Sequence, residues 1–181
     1  MNNISLLLSA LSILATSQAP AHDVSAAEWG PPTNGVQLAI TTKYAGNRIT
    51  TNQPLVLMCQ IRNVSSNGTV YTFTVAGTRV DQGFHFTVIA PNGMDISPPL
   101  NTNPFYGSAV NVTLGPKEIY KFEFNLGLLC KLNQIGMYKI TGTLKLGSVR
   151  NKSCEVTSNL LCVYVVPGER KAEGTNAPVG F

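Results

Sequence analysis

Hydrophobic and polar residues alternate with period two through most of residues 30–166, and no segment there keeps a helical period. Residues 117–126 alternate most regularly. Tyr120, Phe122, Phe124 and Leu126 fall on one face, and Lys121, Glu123 and Asn125 on the other. A strand of this kind has one dry face and one wet face, as in an antiparallel sheet. Residues 137–146 repeat the pattern, with Tyr138, Ile140, Leu144 and Leu146 opposing Lys139, Thr141, Thr143 and Lys145. Gly142 leaves a gap on the dry face. Further alternation sets Val36, Leu38 and Ile40 in a first strand and Leu55, Leu57, Cys59 and Ile61 in a second. Tyr71, Phe73 and Val75 follow, then Phe84, Phe86 and Val88. Residues 160–166 are nearly all apolar and predict a buried last strand. Residues 109–114 predict a weaker strand beside a connection holding Pro98, Pro99 and Pro104. Gly46-Asn47, Asn67-Gly68, Pro91-Asn92-Gly93, Gly115-Pro116 and Gly147-Ser148 mark turns between these runs. Seven to nine short strands so separated predict an all-β fold, either an antiparallel β-sandwich of two sheets or a barrel.

Composition agrees. Charged residues make up 12% of the 181-residue chain, with 16 glycines and 11 prolines, as strands and tight turns require. The formal net charge of +4 is spread over single Lys and Arg residues. No basic stripe or nucleic-acid motif is present, and no nucleic-acid partner is expected. Residues 4–15 form an apolar run too short for a membrane span, which needs about 20 apolar residues. A polar stretch ending in Ala19-Pro20-Ala21 follows, so residues 1–21 read as a signal peptide cleaved after Ala21. Ser25-Ala26-Ala27 offers a second cleavage site, leaving Glu28 first. Residues 22–34 then read as a linker, 35–166 as the sandwich and 167–181 as a disordered tail. The expected location is secreted or periplasmic, with membrane contact only through the leader before cleavage.

Two local features carry a family resemblance. Ile135-Gly136-Met137-Tyr138-Lys139-Ile140 resembles the Gly-x-Tyr-x-Cys corner of immunoglobulin-like domains. The resemblance implies that the Tyr138 hydroxyl bonds to upstream backbone, with Ile140 standing where antibody domains carry a core cysteine. Nearer the start come Trp29-Gly30, Gly35-Val36-Gln37, Pro54-Leu55 and Arg62-Asn63. Their order is similar to that of bacterial exported immunoglobulin-like, or fibronectin III-like, domains. The Pro-Leu and Arg-Asn segment also resembles a proteinase-inhibitor-like sandwich. The similarity covers about the first 40 residues of the fold and implies no shared chemistry.

Residues able to carry catalysis are sparse. The two histidines are His22 and His85. His85 lies between Phe84 and Phe86, on the opposite strand face from both, and no Gly-x-Ser-x-Gly elbow accompanies it. Between Trp29 and Val166 the only acids are Asp81, Asp95, Glu118, Glu123 and Glu155, with no close pair for glycoside hydrolysis. Copper is the one cofactor the sequence suggests. Cleavage after Ala21 would give His22 an α-amine and an imidazole at one terminus, and His85 could supply a third nitrogen. That set resembles the histidine brace of secreted polysaccharide monooxygenases and of immunoglobulin-like copper carriers. Cys59, Cys130, Cys154 and Cys162 lack Cys-x-x-Cys spacing, which disfavours zinc and redox motifs. In an exported chain one disulfide among them is expected, with its partners open. Asn63, Asn67, Asn111 and Asn151 stand in Asn-x-Ser/Thr triplets.

The reading these residues favour is an exported, non-catalytic domain. It binds an extracellular or envelope protein or glycan, or has a structural role in the envelope. The alternatives are a copper protein or monooxygenase using His22 and His85, and a proteinase inhibitor presenting the loop 94–108. Export predicts a soluble product that starts at His22 or Glu28. Amino-terminal sequencing of the exported protein checks this, and uncleaved chain recovered with the membranes would contradict it.

Overall fold

Among the described residues, the alternation becomes ten strands in a computed structural model of the chain. That structure describes residues 28–76, 83–99, 109–148 and 153–168. The strands are β1 (Val36–Thr42), β2 (Arg48–Thr50), β3 (Val56–Asn63), β4 (Tyr71–Ala76) and β5 (Phe84–Ile89). They continue as β6 (Ala109–Leu114), β7 (Ile119–Asn125), β8 (Gly136–Ser148), β9 (Cys154–Thr157) and β10 (Leu161–Val166). One sheet has the order β1-β3-β7, all antiparallel. The other has the order β2-β10-β8-β4-β6, with β5 and β9 also paired to β8. Only β2 and β10 run parallel. The count exceeds the expected seven to nine because β2 and β9 are too short to show a period.

The dry faces of the two sheets meet in one core. Leu38, Ile40, Leu57, Cys59 and Ile61 line the smaller sheet, and Phe86, Val88, Tyr138, Ile140, Leu144 and Val163 the larger. Aromatic rings bridge the sheets edge to face. Phe84 of β5 lies 5.5 Å from Phe122 and 6.1 Å from Phe124 of β7, and Phe73 of β4 lies 5.7 Å from Tyr120. Gly142 sits on the buried face, where a Cβ would reach ordinary contact with Ile40, Phe84 and Phe86. The last strand departs from expectation. Tyr164 is exposed because β10 has a solvent face after all, and Leu160, also exposed, lies just before the strand.

A β-bulge joins β9 to β10. Four steps from Thr157 to Leu161 oppose three from Thr143 to Ile140, so one residue is extra. Ser158 mends the interrupted ladder. Its N–H donates to Gly142 O, its Oγ accepts from Gly142 N (2.8 Å), and its hydroxyl donates to Asn159 O. The bulge turns the neighbouring Asn159 inward, toward the other sheet. There its Oδ1 accepts from Ile40 N (2.8 Å) and its Nδ2 donates to Ile40 O (3.0 Å). The amide thereby acts as a strand partner for the edge of β1.

The segment expected to be a linker, 22–34, is in its described part a strap on the same edge. Thr33 and Val36 exchange backbone hydrogen bonds, and Gly30 N donates to Leu38 O (2.9 Å). A Cβ on Gly30 would come within 2.6 Å of the Ser158 carbonyl carbon, so only glycine seats the strap against the bulge. Pro31 and Pro32 then give the strap no N–H to offer a further strand. The expected leader, residues 1–21, and residues 169–181 of the expected tail lie outside the described residues.

Replacing Asn159 by Ala leaves both polar groups of Ile40 buried without a partner. Each such group costs about 1–3 kcal/mol. Asn159→Ala is expected to lower the melting midpoint by about 4 °C or more, given the usual shift per kcal/mol for a domain of this size. Thermal unfolding followed by circular dichroism checks it, and an unchanged midpoint would show that water replaces the clamp.

Candidate functional site

Of the residues behind the family resemblance, Trp29, Gly30, Gln37 and Arg62 come together in space, whereas Pro54-Leu55 lies at the other end of β3 beside Gly127. Gln37 and Arg62 are register partners on β1 and β3. Arg62 Nε and Nη2 donate to Gln37 Oε1 at 3.0 and 2.7 Å, and Gln37 Nε2 donates to Gly30 O at 2.8 Å. The Arg62 guanidinium lies 4.1 Å from the centre of the Trp29 ring. Beside them, Asn63 is buried. Its Nδ2 donates to Thr69 O and Leu114 O, and its Oδ1 accepts from Ser65 N and Oγ. The Trp-Gly, Gly-Val-Gln and Arg-Asn segments therefore form the joint that pins the strap to the smaller sheet. Gly30, Gln37 and Arg62 are bonded to one another, while Asn63 is held by Ser65, Thr69 and Leu114.

Tyr138 is fully buried, and its hydroxyl accepts a hydrogen bond from Gln134 N (2.9 Å). The bond spans the corner where the chain leaves the smaller sheet and enters the larger. Gly136 holds a φ of +135°, and a Cβ there would press to 2.8 Å from Pro91 Cβ. Glycine is thus needed both for the backbone angle and for contact with the turn after β5.

The expected disulfide is absent: Cys59, Cys130, Cys154 and Cys162 are all free thiols. Placement explains this. Cys59 points into the core from the middle of β3, and burial pushes its thiol pKa up. Cys130 follows the 3-10 turn Leu126–Leu128, donates to Leu126 O, and is pushed up to about 11 by burial. Cys154, opposite Leu146 near the other end of β8, is raised by burial and eased back by a hydrogen bond with the Asn34 side chain. Leu146 and the Gly136 corner are separated along β8 by about 30 Å, far beyond the Cα separation of about 7 Å that a bridge tolerates. Cys162 faces outward on β10, opposite Lys139.

His85 lies on the outer side of β5 across from Thr143, between the buried Phe84 and Phe86. His22 lies outside the described residues. Among the described residues, no group of three or more His, Cys, Asp or Glu side chains could hold a metal ion. Of the loop expected to act in proteinase inhibition, residues 94–99 are described. They fold back on β5, with Ile96 N donating to Val88 O and Ser97 Oγ accepting from Val88 N. Asp95 accepts from Ser97 Oγ and N, which hold its carboxyl below the usual range.

One end of the sandwich carries apolar side chains that lie outside the alternating segments. β3 begins there and β7 ends there, as the pair Val56 and Asn125 shows. β8 begins and β10 ends there, at Gly136 and Val165. Met94, in the turn after β5, is 60% exposed, and Leu128 and Ile135, in the β7–β8 connection, are 65% and 61% exposed. The Pro91–Gly136 contact holds the two loops together. The turn around Met94 is itself closed, with Ala90 N donating to Met94 O (2.8 Å) and Gly93 N to Ala90 O (2.9 Å).

The chain matches no protein-family model and no curated protein. Among solved structures it is similar to the putative ApaA protein from Bordetella pertussis. That match has 13% identity and a TM-score of 0.47, and covers 72% of this chain and 93% of that one. It is similar to the structural-genomics target SoR45 at 12% identity and TM-score 0.46, covering 75% and 90% of the two chains. It is also similar to the C-terminal domain of wzt at 11% identity and TM-score 0.43, covering 78% of each. Likeness at this level carries no information about a ligand or an activity.

Removing the Tyr138 hydroxyl leaves the ring packed and frees one hydrogen bond. Tyr138→Phe is expected to cost about 0.5–1.5 kcal/mol, read as a melting midpoint a few degrees lower with the β-rich spectrum intact. No change would place the Gln134 amide in water.

Proposed function

We propose that the chain is an exported, non-catalytic immunoglobulin-like domain that binds a protein partner outside the cytoplasm through the end of the sandwich carrying Met94, Leu128 and Ile135. The observation that carries this reading is the exposure of three large apolar side chains on two loops held against each other by Pro91 and Gly136. Loops on a rigid scaffold are the usual place for binding residues, and grouped exposed apolar side chains mark interaction surfaces. The closed turn at residues 90–94 favours binding, because a loop already ordered loses little freedom on association. Elsewhere the polar groups of Arg62, Gln37, Asn63, Ser158 and Asn159 are engaged in holding the fold. The outer face of the smaller sheet, with Gln60, Lys121 and Glu123, is a solvated surface.

A photo-crosslinking residue at position 94 or 135, in the chain expressed in its own host, is expected to trap one discrete exported or envelope protein. The same residue at position 121 is expected to trap none. Ile135→Asp should abolish the adduct formed from position 94 without moving the melting midpoint. Equal trapping from position 121, or none from 94 and 135, would overturn the reading.

A further inference from the structure

The described residues hold three Asn-Gly pairs: Asn34-Gly35, Asn67-Gly68 and Asn92-Gly93. In such a pair the glycine nitrogen can attack the asparagine side-chain carbonyl carbon. The reaction requires that this nitrogen be free of hydrogen bonds and that the backbone be able to turn. We propose that Asn67 is a site of spontaneous deamidation in the folded protein, and that the other two pairs are protected by the fold.

Asn34-Gly35 is locked on every side. Thr33 and Val36 pair around it, the Tyr71 hydroxyl donates to Asn34 O, and Val64 N donates to Gly35 O. Gly35 also rests against Ser65, where a Cβ would come within 2.7 Å of the Ser65 Cβ. In Asn92-Gly93 the nucleophile is occupied, since Gly93 N donates to Ala90 O at 2.9 Å within a turn that Ala90 N and Met94 O close again.

Asn67-Gly68 has neither the packing that locks Asn34-Gly35 nor the bond that occupies Gly93 N. Both residues are exposed and outside any strand, and no atom lies within 4 Å of where a Gly68 Cβ would stand. Gly68 N makes no hydrogen bond among the described residues. The Asn67 Oδ1 accepts from the Thr69 hydroxyl at 2.6 Å and from Thr69 N at 3.2 Å. Two donors on this oxygen polarise the carbonyl and stabilise the negative charge that develops on it during attack, as an oxyanion hole does.

The chemistry balances without a co-reactant other than water. Gly68 N bonds to Asn67 Cγ, the Cγ–Nδ2 bond breaks, and ammonia leaves with the proton lost by Gly68 N. Water then opens the cyclic imide at either carbonyl, giving aspartate or isoaspartate. The product carries one more negative charge, and isoaspartate lengthens the backbone of the loop that Asn63 holds through Thr69 O.

The test is incubation of the purified full chain in mildly alkaline buffer at 37 °C, followed by peptide mapping with mass spectrometry and detection of isoaspartate. Asn67 is expected to convert several-fold faster than Asn34 and Asn92, whereas the chain unfolded in urea should convert all three at similar rates. Thr69→Val, which removes the hydroxyl and keeps the shape, should slow conversion at Asn67 severalfold. Equal rates at the three sites in the folded chain, or a lead by Asn34 or Asn92, would overturn the proposal. An unchanged rate in Thr69→Val would overturn the part assigned to the hydroxyl.

Discussion

Two side-chain amides reach from one sheet to the backbone of the other, Asn63 to Leu114 and Asn159 to Ile40, and the stacking of the sheets depends most on the second, which makes a pair of bonds. Sheets in a sandwich are held mostly by non-directional packing, which resists separation better than sliding. Asn159 adds direction. Its two bonds to Ile40 fix where β1 lies along the β9–β10 bulge, and hence the register of one sheet over the other. The bulge is the precondition. Without its extra residue, the alternation of β9 would carry straight through β10, and position 159 would point to solvent.

The long strands were legible because each has one wet and one dry face over several residues. Residues 117–126 and 137–146 declare themselves through Phe122, Phe124, Tyr138 and Ile140 against their lysine and glutamate neighbours. The short strands were not, since three or four residues cannot display a period, and Arg48–Thr50 is a strand because it lies along β10. The bulge was hidden for a related reason. Nothing local at Ser158-Asn159 reveals that the amide meets a residue 119 positions earlier. The Gly-x-Tyr corner was visible because both of its partners are local, from Gln134 to Tyr138.

The resembling segments near the start were legible as a motif and opaque as to purpose. Trp29, Gly30, Gln37 and Arg62 are spread over more than 30 positions and meet through the pairing of β1 with β3. Their chemistry is an internal joint that holds the strap to the sheet. The apolar end had the opposite character. Met94, Leu128 and Ile135 are separate loop residues in the sequence, and only the crossing from β7 to β8 together with the pairing of β5 to β8 gathers them at one end.

The strap and the amide clamp close the same edge of β1 on different schedules of synthesis. Gly30 and Thr33 bond to residues at most eight positions away, so they can cover the edge as soon as β1 itself is available. Asn159 arrives almost a whole domain later. During that interval β1 and β3 would offer an open backbone edge to any neighbouring chain, the usual hazard of slowly folding β proteins. A proline-bearing strap made first gives the nascent chain a local guard, to be joined by the clamp once the last strands exist.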